Sequence, residues 1–98
     1  MKHILLPLLL ASASVLAEPT ISIGAIEKLA QGDAEQASLA YGFLAGAVEA
    51  VNGSRVCPPP ELGVWAVVRS VAVDLDQLPP GAPAARTIIQ VLEKLYPC

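Results

Sequence analysis

Few side chains in this 98-residue chain could carry out chemistry. The only histidine is His3, and the only thiols are those of Cys57 and Cys98. A serine or cysteine nucleophile needs a neighbouring base, usually histidine, and the chain offers none beyond His3. Asp74 and Asp76 are close in sequence, but we interpret them as a solvated helix end rather than an acid–base pair. Because metal-ligand spacings and phosphate-binding glycine loops are also missing, we expect no enzyme, no cofactor and no metal site.

The N-terminus has the three parts of a secretory signal peptide. Lys2 gives a basic start, residues 4–10 form an apolar run, and small residues lead to a cut before Glu18. The run is too short to cross a membrane, which takes roughly 20 apolar residues. We therefore expect residues 1–17 to be removed, residues 18–98 to form the mature domain, and the protein to be periplasmic.

The two cysteines are interpreted as one disulfide. Exported proteins of this size usually oxidise an even number of cysteines within the chain. A loop of the length between Cys57 and Cys98 stabilises the fold by about 4 kcal/mol in the chain-entropy model. The alternatives are two free thiols or a bond between chains.

The charge pattern excludes two classes of partner. The chain has nine acidic and six basic residues, and its formal net charge is −3. Scattered bases do not make the positive surface that nucleic acids require, nor the basic amphipathic face that anionic membranes attract. We expect neither nucleic-acid binding nor stable membrane insertion.

Hydrophobic spacing predicts four helices. The first covers residues 23–31, and the second begins after Asp33, which with Gln36 has the pattern of a capping box. Residues 61–74 are rich in β-branched side chains, which would suit a strand, but their polar positions recur at helical spacing, so we predict a helix. Residues 84–95 form the last helix. The expected buried stripe of that helix is Ala85, Ile88, Ile89, Leu92 and Leu95. The predicted fold class is all-α, a small bundle of about four helices closed by one disulfide.

Two glycines interrupt the second predicted helix. Gly42 and Gly46 each cost about 1 kcal/mol relative to alanine in a helix interior. Close approach of another backbone, flanked by Leu39, Phe43 and Ala50, would explain them. That backbone could belong to this chain or to a second subunit, and we assign Gly42, Phe43 and Gly46 to helix packing.

Five residues are candidates for binding a partner: Arg55, Glu61, Trp65, Asp74 and Asp76. Trp65 lies in an apolar run, and we favour a core position against Phe43 over a binding anchor. Arg55 lies beside the proline-rich elbow of residues 57–60, where a solvated residue and a partner contact are equally expected.

Several motifs in fixed order resemble one known family. They are a Gly-aromatic-x-x-Gly helix within residues 41–46, a Cys-Pro elbow at residues 57–58, Val67-Val68 in an apolar helix, Pro-Ala-Ala at residues 83–85, and Tyr-Pro-Cys at residues 96–98. This pattern, which covers about residues 40–98, is similar to that of the resistance-associated (Rap/Tai-like) immunity proteins. Those small periplasmic proteins protect bacteria from the peptidoglycan amidase effectors of type VI secretion.

The resemblance implies an all-helical, disulfide-bonded and often dimeric protein that plugs the active site of an effector. Many members have further cysteines near the start of the mature chain or in the glycine helix, and this chain has neither, so the identity of the target does not transfer. A cell-wall amidase effector is the expected partner, with a homodimer as a further possibility.

A second hypothesis is a small periplasmic acid-stress chaperone. Such proteins are also exported, helical and built on one disulfide. That hypothesis predicts exposed apolar surface and client binding below about pH 3, where carboxylates lose their charge. A neighbouring effector gene would favour the immunity protein, and a stress operon would favour the chaperone.

Overall fold

The computed structural model describes residues 20–98, so the predicted signal peptide lies outside the described residues. The described chain folds into four α-helices and one short 3-10 helix. They are α1 (Ile23–Ala30), α2 (Ala34–Val51), α3 (Val64–Ala72), the 3-10 helix (Leu75–Gln77) and α4 (Ala84–Leu95). Between residues 20 and 98 the only β-type pairings are isolated bridges. The prediction of an all-α fold with about four helices is confirmed.

The start and end of α2 follow the predicted capping chemistry. The Asp33 carboxylate accepts a hydrogen bond from the Gln36 backbone N–H at 2.9 Å, and the Gln36 side chain accepts one from the Asp33 N–H at 3.1 Å. Two N–H groups that a helix start would leave unpaired are thereby satisfied. At the other end, Asn52 caps the helix and Gly53 has a φ of 83°, which a side chain rarely tolerates.

α2 lies at the centre of the bundle and packs against α1, α3 and α4. Each helix contributes aliphatic side chains to one core, and within the described residues no polar or charged residue is buried. The largest fully buried side chains are Ile23, Ile26, Leu44, Val56, Val67, Val68, Val71, Ile88 and Leu92. Removal of this apolar surface from water is the main source of stability.

Backbone hydrogen bonds dock the start of α1 onto the loop that precedes α4. The N–H groups of Ile23 and Gly24 donate to the carbonyls of Ala82 and Pro80, each at 2.9 Å. In return the Ala84 N–H donates to the carbonyl of Ile21 at 2.8 Å. The unpaired donors at two helix starts are thus satisfied by irregular chain segments, which fixes the ends of α1 and α4 relative to each other.

The C-terminus is attached to the elbow that follows α2. Cys57 and Cys98 form the predicted disulfide, with their Cα atoms 4.8 Å apart. The Cys57 N–H donates to the Tyr96 carbonyl at 2.8 Å, and the Tyr96 hydroxyl is hydrogen-bonded to the Ser70 hydroxyl at 2.7 Å. The last residues therefore hold both the elbow and α3.

Two details of the predicted helices need correction. The third helix starts at Val64 rather than at residue 61, because the Leu62 N–H closes a turn onto the Pro59 carbonyl and Gly63 serves as the N-cap. In α4 the buried positions are Ala84, Ile88 and Leu92, spaced by four residues. The predicted stripe was correct at Ile88 and Leu92 and wrong at Ala85 and Leu95, which are exposed.

The internal explanation for the two glycines of α2 is also wrong. Apart from the chain neighbours and the adjacent backbone of α2, a Cβ atom built on Gly42 or Gly46 would meet no described atom within 4 Å, and both residues are exposed. Phe43 does contribute to packing, since it lies half-buried against the core. The buried side of α2 carries Ala40, Leu44 and Val48, so the glycines lie on the opposite, solvent-facing side. A contact with a second subunit at this side stays a prediction.

Replacing Gly46 by alanine should therefore raise the free energy of unfolding by about 1 kcal/mol, because alanine is the better helix former and its methyl group has room. Urea denaturation followed by circular dichroism measures this change. The control is Gly53→Ala, where the positive φ predicts the opposite sign. A destabilised Gly46→Ala variant would show that something does pack on this side of α2.

Candidate partner-binding surface

One side of α3 exposes large apolar side chains to solvent. Trp65, Arg69 and the C-cap residue Val73 are spaced by four residues, so they line one side of the helix over about 12 Å. We call these three residues the α3 face. Trp65 is 54% exposed and Val73 is 72% exposed.

The position of Trp65 corrects the favoured prediction that it is a core residue against Phe43. The inward side of α3 is occupied by Val67, Val68 and Val71, which are almost fully buried. Trp65 lies on the other side of the same helix and keeps more than half of its surface in water. This exposed position agrees with the alternative interpretation, a binding anchor. Tryptophan is also enriched among the residues that dominate protein interfaces.

Arg69 is an exposed cation between the two apolar residues of the α3 face. The single ion pair formed within residues 20–98 joins Arg55 to Glu93, so the Arg69 guanidinium has no carboxylate partner there. A guanidinium can bind a carboxylate through two parallel hydrogen bonds, which gives direction as well as affinity. Sequence reasoning did not include Arg69 or Val73 among the candidates.

Arg55 lies instead at the disulfide end of the molecule. Its guanidinium donates two hydrogen bonds to the Glu93 carboxylate, at 3.1 Å and 3.3 Å. Both side chains are more than a third exposed, so this pair contributes little to stability. No local sequence signal links two residues that are 38 positions apart.

The three acidic candidates lie at the two ends of α3. Glu61 is exposed in the turn before the helix, and Asp74 is exposed immediately after it. Asp76 belongs to the 3-10 helix and lines a surface depression together with Glu27, Tyr41 and Val73. Glu61 and Trp65 lie at the start of α3, whereas Asp74 and Asp76 follow its end. Arg55 is paired with Glu93 at the disulfide end, so the five candidates do not form one cluster.

A second exposed apolar surface lies at the start of α4. Ile21, which is 51% exposed, lines a depression with Phe43, Pro83 and Arg86. This depression resembles the α3 face in pairing an aliphatic side chain with an arginine. It therefore provides a natural comparison for any test of the α3 face.

Between residues 20 and 98, no three His, Cys, Asp or Glu side chains are arranged to hold a metal ion. The helices found in that part of the chain all lack the combination of length and apolarity needed to cross a membrane.

Comparisons with known proteins give one family. The family model for Rap1a immunity proteins matches residues 12–98, which is most of the chain and agrees with the resemblance noted in the sequence. Neither the curated proteins nor the solved structures contain a significant match. Membership in an immunity family implies a secreted effector protein as the partner. On the strength of this match, the chain belongs to the Rap1a immunity protein family.

Proposed function

We propose that this protein is a periplasmic immunity protein that binds a peptidoglycan amidase effector of type VI secretion and blocks its active site sterically. The observation that carries the proposal is the family match over residues 12–98. In this mechanism the chain performs no chemistry of its own. It contributes a rigid surface that fills the effector's cleft and excludes the peptidoglycan substrate.

Two structural features support this function. The disulfide between Cys57 and Cys98 suits an oxidising compartment such as the periplasm, where such bonds persist. The α3 face offers exposed apolar surface beside a cation, a composition that interface centres share. A body held by a disulfide and a continuous aliphatic core loses little conformational entropy on binding, which favours a tight complex.

The test combines protection with binding. The proposal predicts that a peptidoglycan amidase effector is encoded near this chain's gene. That amidase should lyse cells when it is exported to the periplasm alone, and co-export of this chain should prevent lysis. The purified proteins should form a stoichiometric complex, and hydrolysis of isolated peptidoglycan should stop at the equivalence point. An amidase that is neither bound nor inhibited would refute the proposal.

Steric occlusion makes a separate prediction within this function. A soluble peptidoglycan fragment that occupies the amidase cleft should compete with the immunity protein, so the apparent Kd should rise linearly with fragment concentration from its value without fragment. If the fragment and the protein bind the amidase together, inhibition acts away from the cleft and the steric mechanism is wrong.

Export is tested independently of the partner. A chain expressed with residues 1–17 should be recovered from the periplasm with Glu18 as its first residue, as measured by intact mass. The acid-stress chaperone alternative is tested on the same material. It requires suppression of client aggregation in acid, whereas an immunity protein should not prevent aggregation of unrelated clients.

A further inference from the structure

The exposed side chains of α3 are positioned to contact a partner rather than to pack in the core of this chain. Trp65 and Val73 leave 54% and 72% of their surface in water, although the same helix buries Val67, Val68 and Val71. Isolated apolar residues are common on protein surfaces, but here two large ones flank one cation on a single helix side. The arrangement has the composition of an interface centre, with an aromatic anchor and an arginine.

We propose that the α3 face is the docking surface for the effector, and that the effector matches it with an apolar socket for the Trp65 indole beside a carboxylate for Arg69. This assignment rests on the effector-binding function proposed above and names the surface that performs it.

Charge complementarity determines the chemistry of the occupant. Arg69 lies between the two apolar side chains and has no acidic partner within residues 20–98, so burying it requires a carboxylate from outside. Beyond Val73 the surface continues into the depression that contains Glu27 and Asp76. A matching effector surface therefore carries an acidic group opposite Arg69 and a basic group opposite this depression.

The same charges argue against a second copy of this chain as the occupant. A symmetric dimer places the same patch of both subunits face to face. Arg69 is the central residue of the α3 face, so a two-fold axis through the middle of the face would bring the two Arg69 guanidinium groups close together. Like charges that are desolvated together oppose association.

The backbone at this face is already rigid before binding. The Tyr96 hydroxyl holds Ser70 at 2.7 Å, and the disulfide fixes the residues that follow Tyr96. The three buried valines anchor the inward side of α3. Binding therefore needs little reordering of the helix, and most of the interaction energy appears as affinity.

Substitutions on two surfaces test the assignment, with the amidase that this protein neutralises in the test of function as the probe. Trp65→Ala should weaken binding at least about thirtyfold, as expected for an interface anchor. Arg69→Glu should weaken it at least about tenfold, because a charge then opposes the effector's carboxylate. Arg69 is exposed, so thermal unfolding of Arg69→Glu should match that of the unchanged protein. Trp65→Ala also removes the buried part of the indole and should melt at a lower temperature, but it should be fully folded at the temperature of the binding measurement.

Ile21→Ala and Arg86→Glu are the matched controls, since they truncate an exposed apolar side chain and reverse the charge of an arginine at the depression at the start of α4. Each control should bind within about threefold of the unchanged protein. Loss of binding in the controls with retention in the α3 variants would assign the effector to the other surface and overturn the proposal.

The single tryptophan permits a direct readout. A chain labelled with 5-fluorotryptophan has one ¹⁹F resonance, that of Trp65. This resonance should sense solvent in the free protein and should move or broaden when the unlabelled amidase is added. A resonance that changes with the concentration of the labelled chain alone would identify a second copy as the occupant and overturn the proposal.

Different results would refute the immunity function and the assignment of the docking surface. If the unchanged protein does not bind the amidase, the immunity function fails and the surface assignment fails with it. If the unchanged protein binds while Trp65→Ala and Arg69→Glu bind equally well, the function stands and the α3 face is not the docking surface.

Discussion

Replacing both Cys57 and Cys98 by alanine should lower the free energy of unfolding by about 4 kcal/mol. The bond joins residues 41 positions apart, so it removes much conformational freedom from the unfolded chain. Small domains are stable by only about 5–15 kcal/mol, and a loss of this size removes a large part of that margin. The melting temperature should fall by roughly 15–30 °C.

The measurement is urea denaturation of the double variant and of the unchanged protein, with and without a reducing agent. Reduction of the unchanged protein should produce the same loss and should leave the double variant unaffected. Arg55→Ala is the control at the same end of the molecule. It removes an exposed ion pair and should cost less than about 1 kcal/mol. If the free energies of unfolding of the double variant and the unchanged protein differ by less than about 1 kcal/mol, the disulfide contributes little to stability.

The helices could be predicted from the sequence because their signals are local. Asp33 and Gln36 cap α2 by contacts over three residues, and Gly53 ends it through its own backbone geometry. The start of α3 was harder to predict, because three prolines show where a helix cannot form but not where the next helix begins. The turn from Pro59 to Leu62 moved the true start to Val64.

The side of each helix that faces the core was less predictable, because it depends on where neighbouring helices lie. Trp65 appeared to belong to an apolar run, and hydrophobicity alone assigned it to the core. A signal was nevertheless present. Arg69 is a polar residue of the same helix, and Trp65 lies one turn before it on the same side. Spacing relative to a charged residue was thus more informative than the apolar character of the run.

Features that join distant segments gave no sequence signal. The contact between Arg55 and Glu93, the hydrogen bond between Ser70 and Tyr96, and the docking of Gly24 onto Pro80 all depend on the completed bundle. For the glycines of α2, the sequence suggested a contact that the described chain does not make. Their cost in helix propensity suggested a packing partner, but the described chain provides none at those positions.

Leu92→Ala should lower the free energy of unfolding by about 3 kcal/mol. Leu92 is fully buried in α4, so removal of its side chain loses apolar burial and leaves a cavity in the core. Leu95→Ala makes the same chemical change one turn later in the same helix.

Leu95 is 46% exposed, so its replacement should cost less than about 1 kcal/mol. Because helix propensity and the number of atoms removed are identical in the two variants, the difference between them measures burial alone. Urea denaturation of the pair should therefore separate them by about 2 kcal/mol or more. Equal losses would place Leu95 in the core after all, as the sequence pattern first predicted. The side of α4 that faces the core would then include Leu95.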